Sequence, residues 1–173
     1  KTIFFDQHVN LDAKMVEFGG WEMPIQYPDG IISEHLQRRH HAGMFDVSHM
    51  GRLIFKGTQA LDFLQHVLTN NAQALEIGES QYTLIQNETG GAIDDAYLYR
   101  FKPDEFLLVV NASNREKDIA HFETHLVNFP DAHMTDHTFD MAMISLQGPQ
   151  SKPIIESVMT DGILPDPARN QLG

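Results

Sequence analysis

The feature that most constrains the fold is a run of three strand-like segments between residues 82 and 110. Residues 82–86 and 93–99 alternate between apolar and polar side chains, as in strands with one buried face. The intervening segment 87–91 is rich in turn residues. A second turn at 102–105 leads into the apolar run 106–110. The pattern predicts consecutive hairpins, and therefore antiparallel strands.

Helical periodicity occurs on both sides of this run. The leucine and valine residues at 61, 64, 67 and 68 recur at the three- and four-residue intervals of one helix face, and Thr58 is the predicted N-cap of their helix. Ser113 and Glu116 form a capping box that predicts a second helix. With further strands predicted at 53–55 and 141–146, the order from residue 52 is β-α-β-β-β-α-β. This order predicts an α+β domain related to the split βαβ plan, with helices on one face. The first fifty residues are interpreted as loops with one helix at 31–39.

Composition excludes several classes of function. The net charge is −12, from 12 basic and 24 acidic side chains, so nucleic acid and acidic membranes would be repelled. The chain has no cysteine, which rules out disulfides, thiolate metal sites and a cysteine nucleophile. Apolar runs fall far short of the ~18 residues that a membrane-spanning helix needs. The composition is otherwise that of an ordinary globular domain.

Asp94 and Asp95 are adjacent carboxylates in the middle strand of the three. Successive strand residues point to opposite faces, so these two side chains should not share a pocket. Asp95 should instead share a face with Tyr97 and Tyr99, and with Tyr82 if the hairpin is in register. A carboxylate among tyrosines is typical of a pocket for a flat, polar heterocycle. The alternative is that either aspartate only accepts backbone hydrogen bonds beside the turn.

Three other groupings contain reactive residue types. Asp46, Ser48 and His49 have the residue types of a hydrolase triad, but such a triad converges from separate segments, so a structured loop is the better interpretation. Arg38 and Arg39 end a predicted helix and offer a small basic patch. Four histidines with H-x3-H-x7-H-x3-H spacing favour solvated surface residues over a metal site. These are His121, His125, His133 and His137.

Several segments, in order along nearly the whole chain, resemble one known family. They are residues 18–24 (FGGWEMP), 43–51 (GMFDVSHMG), 87–95 (NETGGAIDD), 109–112 (VVNA), 116–118 (EKD) and 146–149 (LQGP). Together they closely resemble the T-protein of the glycine cleavage system, the aminomethyltransferase family. Ile3-Phe4 and Asp12 depart from the family pattern, away from the expected site.

The resemblance implies the N-terminal part of a three-domain cloverleaf folate-binding fold. Residues 1–50 would be the first part of a split first domain, and 51–135 the inserted α+β second domain. Residues 136–173 would return into the first domain. Family members are considerably longer, so the rest of the first domain and the C-terminal domain would be absent. We expect such a fragment to be inactive alone.

The family transfers the aminomethyl carbon from the lipoyl arm of H-protein to tetrahydrofolate. By resemblance, Asp95 matches the family's essential carboxylate and would hold the pterin or accept a proton. Four further positions match residues that line the folate site in the family: Met50, Tyr82, Tyr99 and Asn111. Tyr97 is a neighbour of these positions. The implied co-substrate is tetrahydrofolate and the implied partner is lipoylated H-protein, with no metal, nucleic acid or membrane.

Two alternatives remain open within the resemblance. One is a sibling that uses the same folate-binding fold for demethylation or other one-carbon chemistry. The other is a non-catalytic folate-binding module. The intact segment 45–51 favours the aminomethyltransferase over the siblings, and Asp95 beside Gly90-Gly91 favours an enzyme over a module. The expected location is the bacterial cytoplasm, with the mitochondrial matrix as the lesser alternative.

Overall fold

The structure is a computed structural model of the 173-residue chain, and it describes residues 1–162, 164 and 170–172. The chain divides into two compact units. The elements, in chain order, are α1 (Phe5–Asn10), β1 (Lys14–Phe18), β2 (Trp21–Gln26), α2 (Ile31–His40), β3 (Gly43–Asp46), β4 (Gly51–Lys56), α3 (Ala60–Val67), a short 3-10 helix (Ala72–Ala74), β5 (Ser80–Gln86), β6 (Ala92–Lys102), β7 (Glu105–Val110), α4 (Arg115–Leu126), β8 (His133–Asp136), β9 (Ile144–Gln147) and α5 (Ser151–Val158). No helix among the described residues combines the length and apolar character needed to cross a bilayer.

Unit 1 consists of Lys1–His49 together with Phe139–Leu164. Its strands β1 and β2 form a hairpin whose two-residue turn is Gly19-Gly20, with φ of 57° and 85°. Glycine adopts this left-handed region without strain, which makes the pair a suitable hairpin turn. Strand β3 pairs antiparallel with β9, so residues far apart in sequence form a second small sheet.

The interpretation of the first fifty residues as loops with one helix was wrong. They form the helices α1 and α2 and the strands β1, β2 and β3. Their pattern was not visible because the strands have only four to six residues and mixed burial. In addition, β3 depends on β9, which lies about a hundred residues later and cannot be inferred from local periodicity.

Unit 2 consists of Met50–Thr138 and the described residues 170–172. It contains an antiparallel five-stranded sheet in the order β5-β6-β7-β4-β8. Strands β5, β6 and β7 are the consecutive hairpins predicted from residues 82–110. Because β4 is antiparallel to both β7 and β8, those two strands run parallel on either side of it. Helix α4 connects them, so β7-α4-β8 has the split βαβ arrangement.

Helices α3 and α4 cover one face of this sheet. The buried face of α3 has i, i+3, i+4, i+7 spacing and consists of Ala60, Phe63, Leu64 and Val67. Of the predicted apolar positions, 64 and 67 lie on this face, 61 is only partly buried, and 68 follows the end of the helix. The ring of Phe63 lies 5.4 Å from that of Phe55 in β4 and 6.1 Å from that of Phe122 in α4. These contacts define the core between sheet and helices. The α+β fold class is therefore confirmed.

Two details of unit 2 differ from the sequence prediction. The last strand of the sheet is β8, whereas residues 144–146 of the predicted strand 141–146 lie in β9, which belongs to unit 1. Strand β8 was missed because it is a four-residue edge strand with alternating exposure. The predicted caps were also wrong: the N-caps are Gln59 and Asn114, and neither makes a side-chain capping hydrogen bond.

Candidate functional site

The strand register of unit 2 places three predicted site residues beside one another at one end of the sheet. Ala96 of β6 pairs with Val110 of β7, and Val110 pairs with Gly51 of β4. The next residues outward on these strands are Asp95, Asn111 and Met50. They therefore form a row across three strands, although Asp95 follows Met50 by forty-five positions in sequence.

Four predicted site residues lie on the sheet face opposite the helices, and we refer to Tyr82, Asp95, Tyr97 and Tyr99 as the tyrosine face. Tyr82 is the register partner of Tyr97, and their ring centroids are 6.3 Å apart. The rings of Tyr97 and Tyr99 are 5.6 Å apart. At about 3.3 Å per residue, the face extends roughly 13 Å along β6 from Asp95 to Tyr99.

Asp95 receives hydrogen bonds from two neighbouring strands. Asn111 Nδ2 donates to Asp95 Oδ1 at 2.8 Å and lies 3.2 Å from its main-chain oxygen. The hydroxyl of Tyr82 is hydrogen-bonded to the same carboxylate from β5. Partial removal from water, followed by the hydrogen bond to Asp95 and its charge, raises the pKa of Tyr82. Asp95 itself is exposed, so its carboxylate is oriented and also accessible.

Asp94 has a different environment, as strand alternation predicts. It is 6% exposed and points to the helix-covered face. Its Oδ2 accepts the Asn111 backbone N–H at 3.0 Å, and its Oδ1 accepts the side-chain amides of Asn111 at 2.9 Å and Asn114 at 2.6 Å. Burial acts to raise the pKa of Asp94, but these hydrogen bonds outweigh it and hold the pKa below its usual value. Asp94 thus has the structural role that was considered as the alternative.

The remaining predicted site residues differ in accessibility. The hydroxyl of Tyr97 donates to Asn170 Oδ1 at 2.6 Å, so it is already engaged within unit 2. Tyr99 is half-buried. Its pKa is raised chiefly by this burial and, to a smaller extent, by the electrostatic interaction with Tyr97. Met50 is half-buried, and its main-chain oxygen accepts from Arg52 Nη1 at 2.6 Å.

Sequence reasoning missed three residues that support this end of the sheet. Arg52 is 1% exposed, and its guanidinium group donates hydrogen bonds to the main-chain oxygens of Met50 and Thr138. Its signal was a lone arginine in an otherwise apolar strand. Asn114 and Asp118 lie behind Asp94. Asn114 stood out only as part of a polar segment, whereas Asp118 belongs to the EKD segment of the family resemblance, which did not indicate a role for it.

The other candidate groupings have structural roles in unit 1 or on the surface. Asp46 pairs with His8 at 3.0 Å and accepts the Ser48 N–H, while Ser48 Oγ donates to the Met143 oxygen. These contacts of Asp46 and Ser48 are those of a structured loop. The rings of His121 and His125 are 4.7 Å apart on α4. Among the described residues, no group of three histidine or acidic side chains is arranged to hold a metal ion.

Comparison with known proteins gives a consistent result. The family described as the GCVT N-terminal domain matches residues 4–166. The chain belongs to this family. An aminomethyltransferase from Prosthecochloris aestuarii is 44% identical over 162 residues, covering 94% of this chain and 44% of the relative. One from Thermotoga maritima is 42% identical over 163 residues, with 94% and 44% covered.

The fold of this GCVT N-terminal domain is also similar to that of a related protein whose structure has been solved. The crystal structure of glycine cleavage system aminomethyltransferase T from Bartonella henselae matches with a TM-score of 0.86 and 37% identity. The match covers 91% of this chain and 43% of that structure. The predicted family and fold are therefore confirmed. The chain spans less than half the length of the aminomethyltransferases it matches.

Proposed function

We propose that this chain is the N-terminal, folate-binding part of an aminomethyltransferase of the glycine cleavage system. The reaction would transfer the aminomethyl carbon from the lipoyl arm of H-protein to tetrahydrofolate. Ammonia, 5,10-methylenetetrahydrofolate and dihydrolipoyl H-protein would be the products. The observation that carries this proposal is the carboxylate of Asp95, held by Asn111 at the edge of the tyrosine face. It occurs in a chain that is 41–44% identical to aminomethyltransferases.

The tyrosine face fits the chemistry of a pterin ring. A flat heterocycle can stack on or against the aromatic rings, which have hydroxyl groups at their outer ends. Tyr82 is 51% exposed, so its ring and hydroxyl can be reached from solvent. Asp95 adds a hydrogen-bond acceptor for the N–H groups of the heterocycle. The combination of apolar surface and a few fixed polar groups is what small-molecule sites require.

Asp95 would orient the folate and accept a proton during transfer. N5 of tetrahydrofolate attacks the activated methylene carbon, so the main requirement is correct placement of the two reactants. A carboxylate fixed by Asn111 can hold the pterin in one position while remaining free to take up a proton. Met50, Tyr97, Tyr99 and Asn111 would complete the folate site on this sheet.

The complete enzyme would extend beyond this chain. The predicted split first domain (residues 1–50 and 136–173) would correspond to unit 1, and the predicted inserted domain (51–135) to unit 2. Met50 and residues 136–138 and 170–172 are the exceptions, because they belong to unit 2. We further propose that lipoylated H-protein is the partner and that no resident metal takes part. The relatives reported above come from bacteria, so we place the enzyme in the bacterial cytoplasm.

The binding half of the proposal can be tested by calorimetry on the complete gene product. Asp95→Asn removes the charge and keeps the shape, and should weaken tetrahydrofolate binding by about tenfold or more, the scale of one charge-assisted hydrogen bond. Asp104→Asn is the matched control, because this aspartate lies in the exposed turn between β6 and β7. Its affinity should equal that of the parent protein. Equal affinity of the parent and Asp95→Asn would refute the site.

The reaction half needs a transfer assay with aminomethylated H-protein as the donor. Formation of 5,10-methylenetetrahydrofolate together with ammonia supports the proposal. Folate binding without any transfer by the complete gene product would indicate a non-catalytic module. Transfer from a methylated amine, but not from H-protein, would indicate a sibling demethylase.

A further inference from the structure

Asp118 is a buried carboxyl group behind the candidate site that the proposed reaction does not use. It lies near the start of α4, and its side chain is 0% exposed. Among the described residues, no N–H or hydroxyl group donates to either of its carboxyl oxygens. An ionised carboxylate in such a place would be strongly unfavourable, because nothing replaces the water it has lost. The environment therefore favours the neutral acid.

The carboxyl group of Asp118 interacts with that of Asp94 on β6. Asp94 already accepts hydrogen bonds from Asn111 and Asn114, and those donors stabilise its anionic form. Two carboxyl groups in contact cannot both ionise without strong repulsion. A neutral Asp118 resolves the conflict, since its O–H can donate to Asp94. The single proton of the pair then belongs to Asp118.

The charged groups around Asp118 agree with this assignment. Burial, followed by the hydrogen bond to Asp94 and the charge of Asp94, raises the pKa of Asp118 to about 8. The opposing charge is Lys117 on the same helix, whose effect on Asp118 is smaller. Lys117 Nζ donates instead to the Ile93 oxygen at 2.7 Å and to Asn114 Oδ1 at 3.0 Å. It is therefore not a direct partner of Asp118.

We propose that Asp118 is a positioning residue that carries a proton and, through Asp94 and Asn111, holds Asp95 in place. The chain of contacts is short. The O–H of Asp118 donates to Asp94, Asp94 fixes the side-chain amide of Asn111, and that amide donates to Asp95. The importance of Asp95 for the reaction rests on the function proposed above. The proton on Asp118 does not depend on that function.

The protonation state can be measured directly by carbon NMR on the complete gene product with labelled aspartate carboxyl groups. One buried carboxyl signal should titrate near pH 8 and should be missing from the spectrum of Asp118→Asn. An Asp118 signal that is already that of a carboxylate at pH 6 would overturn the proposal.

The positioning role can be tested with two variants that keep the branched shape of the aspartate side chain. The amide of Asp118→Asn can still donate to Asp94, whereas Asp118→Leu has no donor. The side-chain amide resonances of Asn111 should stay near their parental positions in the asparagine variant and move in the leucine variant. The kcat of the leucine variant should fall about tenfold or more below that of the asparagine variant, because Asp95 is displaced.

Each outcome decides the matter. Unchanged Asn111 resonances in a folded leucine variant would refute the positioning role. If the leucine variant does not fold, displaced Asn111 resonances in the asparagine variant would refute it instead. Both spectra are recorded without folate, so failure of the proposed function does not alter them. Failure of the Asp118 proposal, in contrast, appears in the spectra even if Asp95→Asn weakens folate binding as expected.

Discussion

The side-chain nitrogen of Asn111 lies 2.8 Å from Oδ1 of Asp95, and this contact orients an exposed carboxylate from a neighbouring strand. The same nitrogen lies 2.9 Å from Oδ1 of Asp94, which points to the opposite face. Asn111 can reach both because β7 ends at Val110, so its side chain is no longer confined to one face of the pleat. The two aspartates are thus linked at the sheet end but have separable roles.

The first prediction separates these roles by kinetics in the complete gene product. Asp95→Asn should fold normally while kcat falls by roughly 10²-fold or more, the usual loss for a positioned acid–base group. Asp104→Asn should retain parental kcat, since its side chain lies in an exposed turn. Steady-state rates at saturating H-protein give the comparison. Parental kcat in Asp95→Asn, together with an inactive but folded Asp94→Asn, would reverse the assignment of the two residues.

The second prediction concerns the stability provided by Asp94. Asp94→Asn replaces an acceptor with an amide nitrogen that faces the donors of Asn111 and Asn114, and should lower the free energy of unfolding by about 1–3 kcal/mol. Urea denaturation at pH 7 measures this loss. Asp104→Asn again serves as the control and should unfold at the parental midpoint.

The same variant should alter the pH dependence of stability. The pKa of Asp94 is lowered in the folded state, so its contribution is present above the ordinary aspartate pKa and is lost as the pH falls through the folded value. The parent should therefore lose stability on acidification below about pH 4, and Asp94→Asn should lose less. Asp136, whose pKa is lowered chiefly by Arg115 despite its burial, retains part of the acid sensitivity in both proteins. Parallel acid curves for the parent and the variant would contradict this account.

The third prediction tests the contact between Tyr82 and Asp95 without any ligand. The pKa of Tyr82 is raised by partial removal from water and by its hydrogen bond to Asp95. In Asp95→Asn the negative charge is gone, so the phenol should ionise at lower pH than in the parent. Carbon NMR of labelled tyrosine follows the change, with the signal assigned through Tyr82→Phe. An identical Tyr82 titration in the parent and Asp95→Asn would show that the two side chains do not interact.

The structure also shows which parts of the site can be inferred from sequence. Alternation along β6 was sufficient to separate Asp94 from Asp95, because side-chain direction in a strand has a period of two. The tyrosine face followed from the same rule and from the short turn that sets the hairpin register. Met50 and Asn111, in contrast, were named only through the family resemblance. Their place beside Asp95 depends on β4 pairing with β7, a long-range contact that local patterns do not encode.

The role of Asp118 could not be inferred from sequence patterns either, and the reason is a different one. An aspartate near the start of a helix is ordinarily a solvated residue that favours the helix dipole. Only the packing of α4 against β6 places it in contact with Asp94 and away from water. The predicted capping box made the same segment look like a routine helix start. Burial of a single carboxyl group is a tertiary property and has no periodicity to reveal it.

The fourth prediction concerns the 173-residue chain by itself. The chain covers 44% of the length of a related aminomethyltransferase. We therefore expect it to bind tetrahydrofolate at least about tenfold more weakly than the complete gene product and to show no measurable transfer. Calorimetry and the transfer assay on both proteins make the comparison. Circular dichroism checks that the shorter chain is folded. Micromolar binding with measurable transfer by the 173-residue chain would disprove this expectation.

The last prediction concerns docking of H-protein. The net charge of −12 gives no general attraction for an acidic carrier, so a local basic patch would have to guide it. Arg38 and Arg39 were the candidates from sequence, and the structure distinguishes them. Arg38 is half-buried, and its Nη2 donates to Gln147 at 2.7 Å, so changing it would also disturb the β3–β9 region. Arg39 is exposed on α2, which makes Arg39→Glu the cleaner test.

In the complete gene product, Arg39→Glu should raise the KM for H-protein severalfold while leaving the KM for tetrahydrofolate and the thermal midpoint unchanged. The effect should shrink as salt is added, because exposed charges are screened. Lys152→Glu, which reverses an exposed charge on α5, is the matched control and should leave both KM values at the parental level. A KM for H-protein that stays at the parental value in Arg39→Glu at low salt would remove this patch from the docking surface.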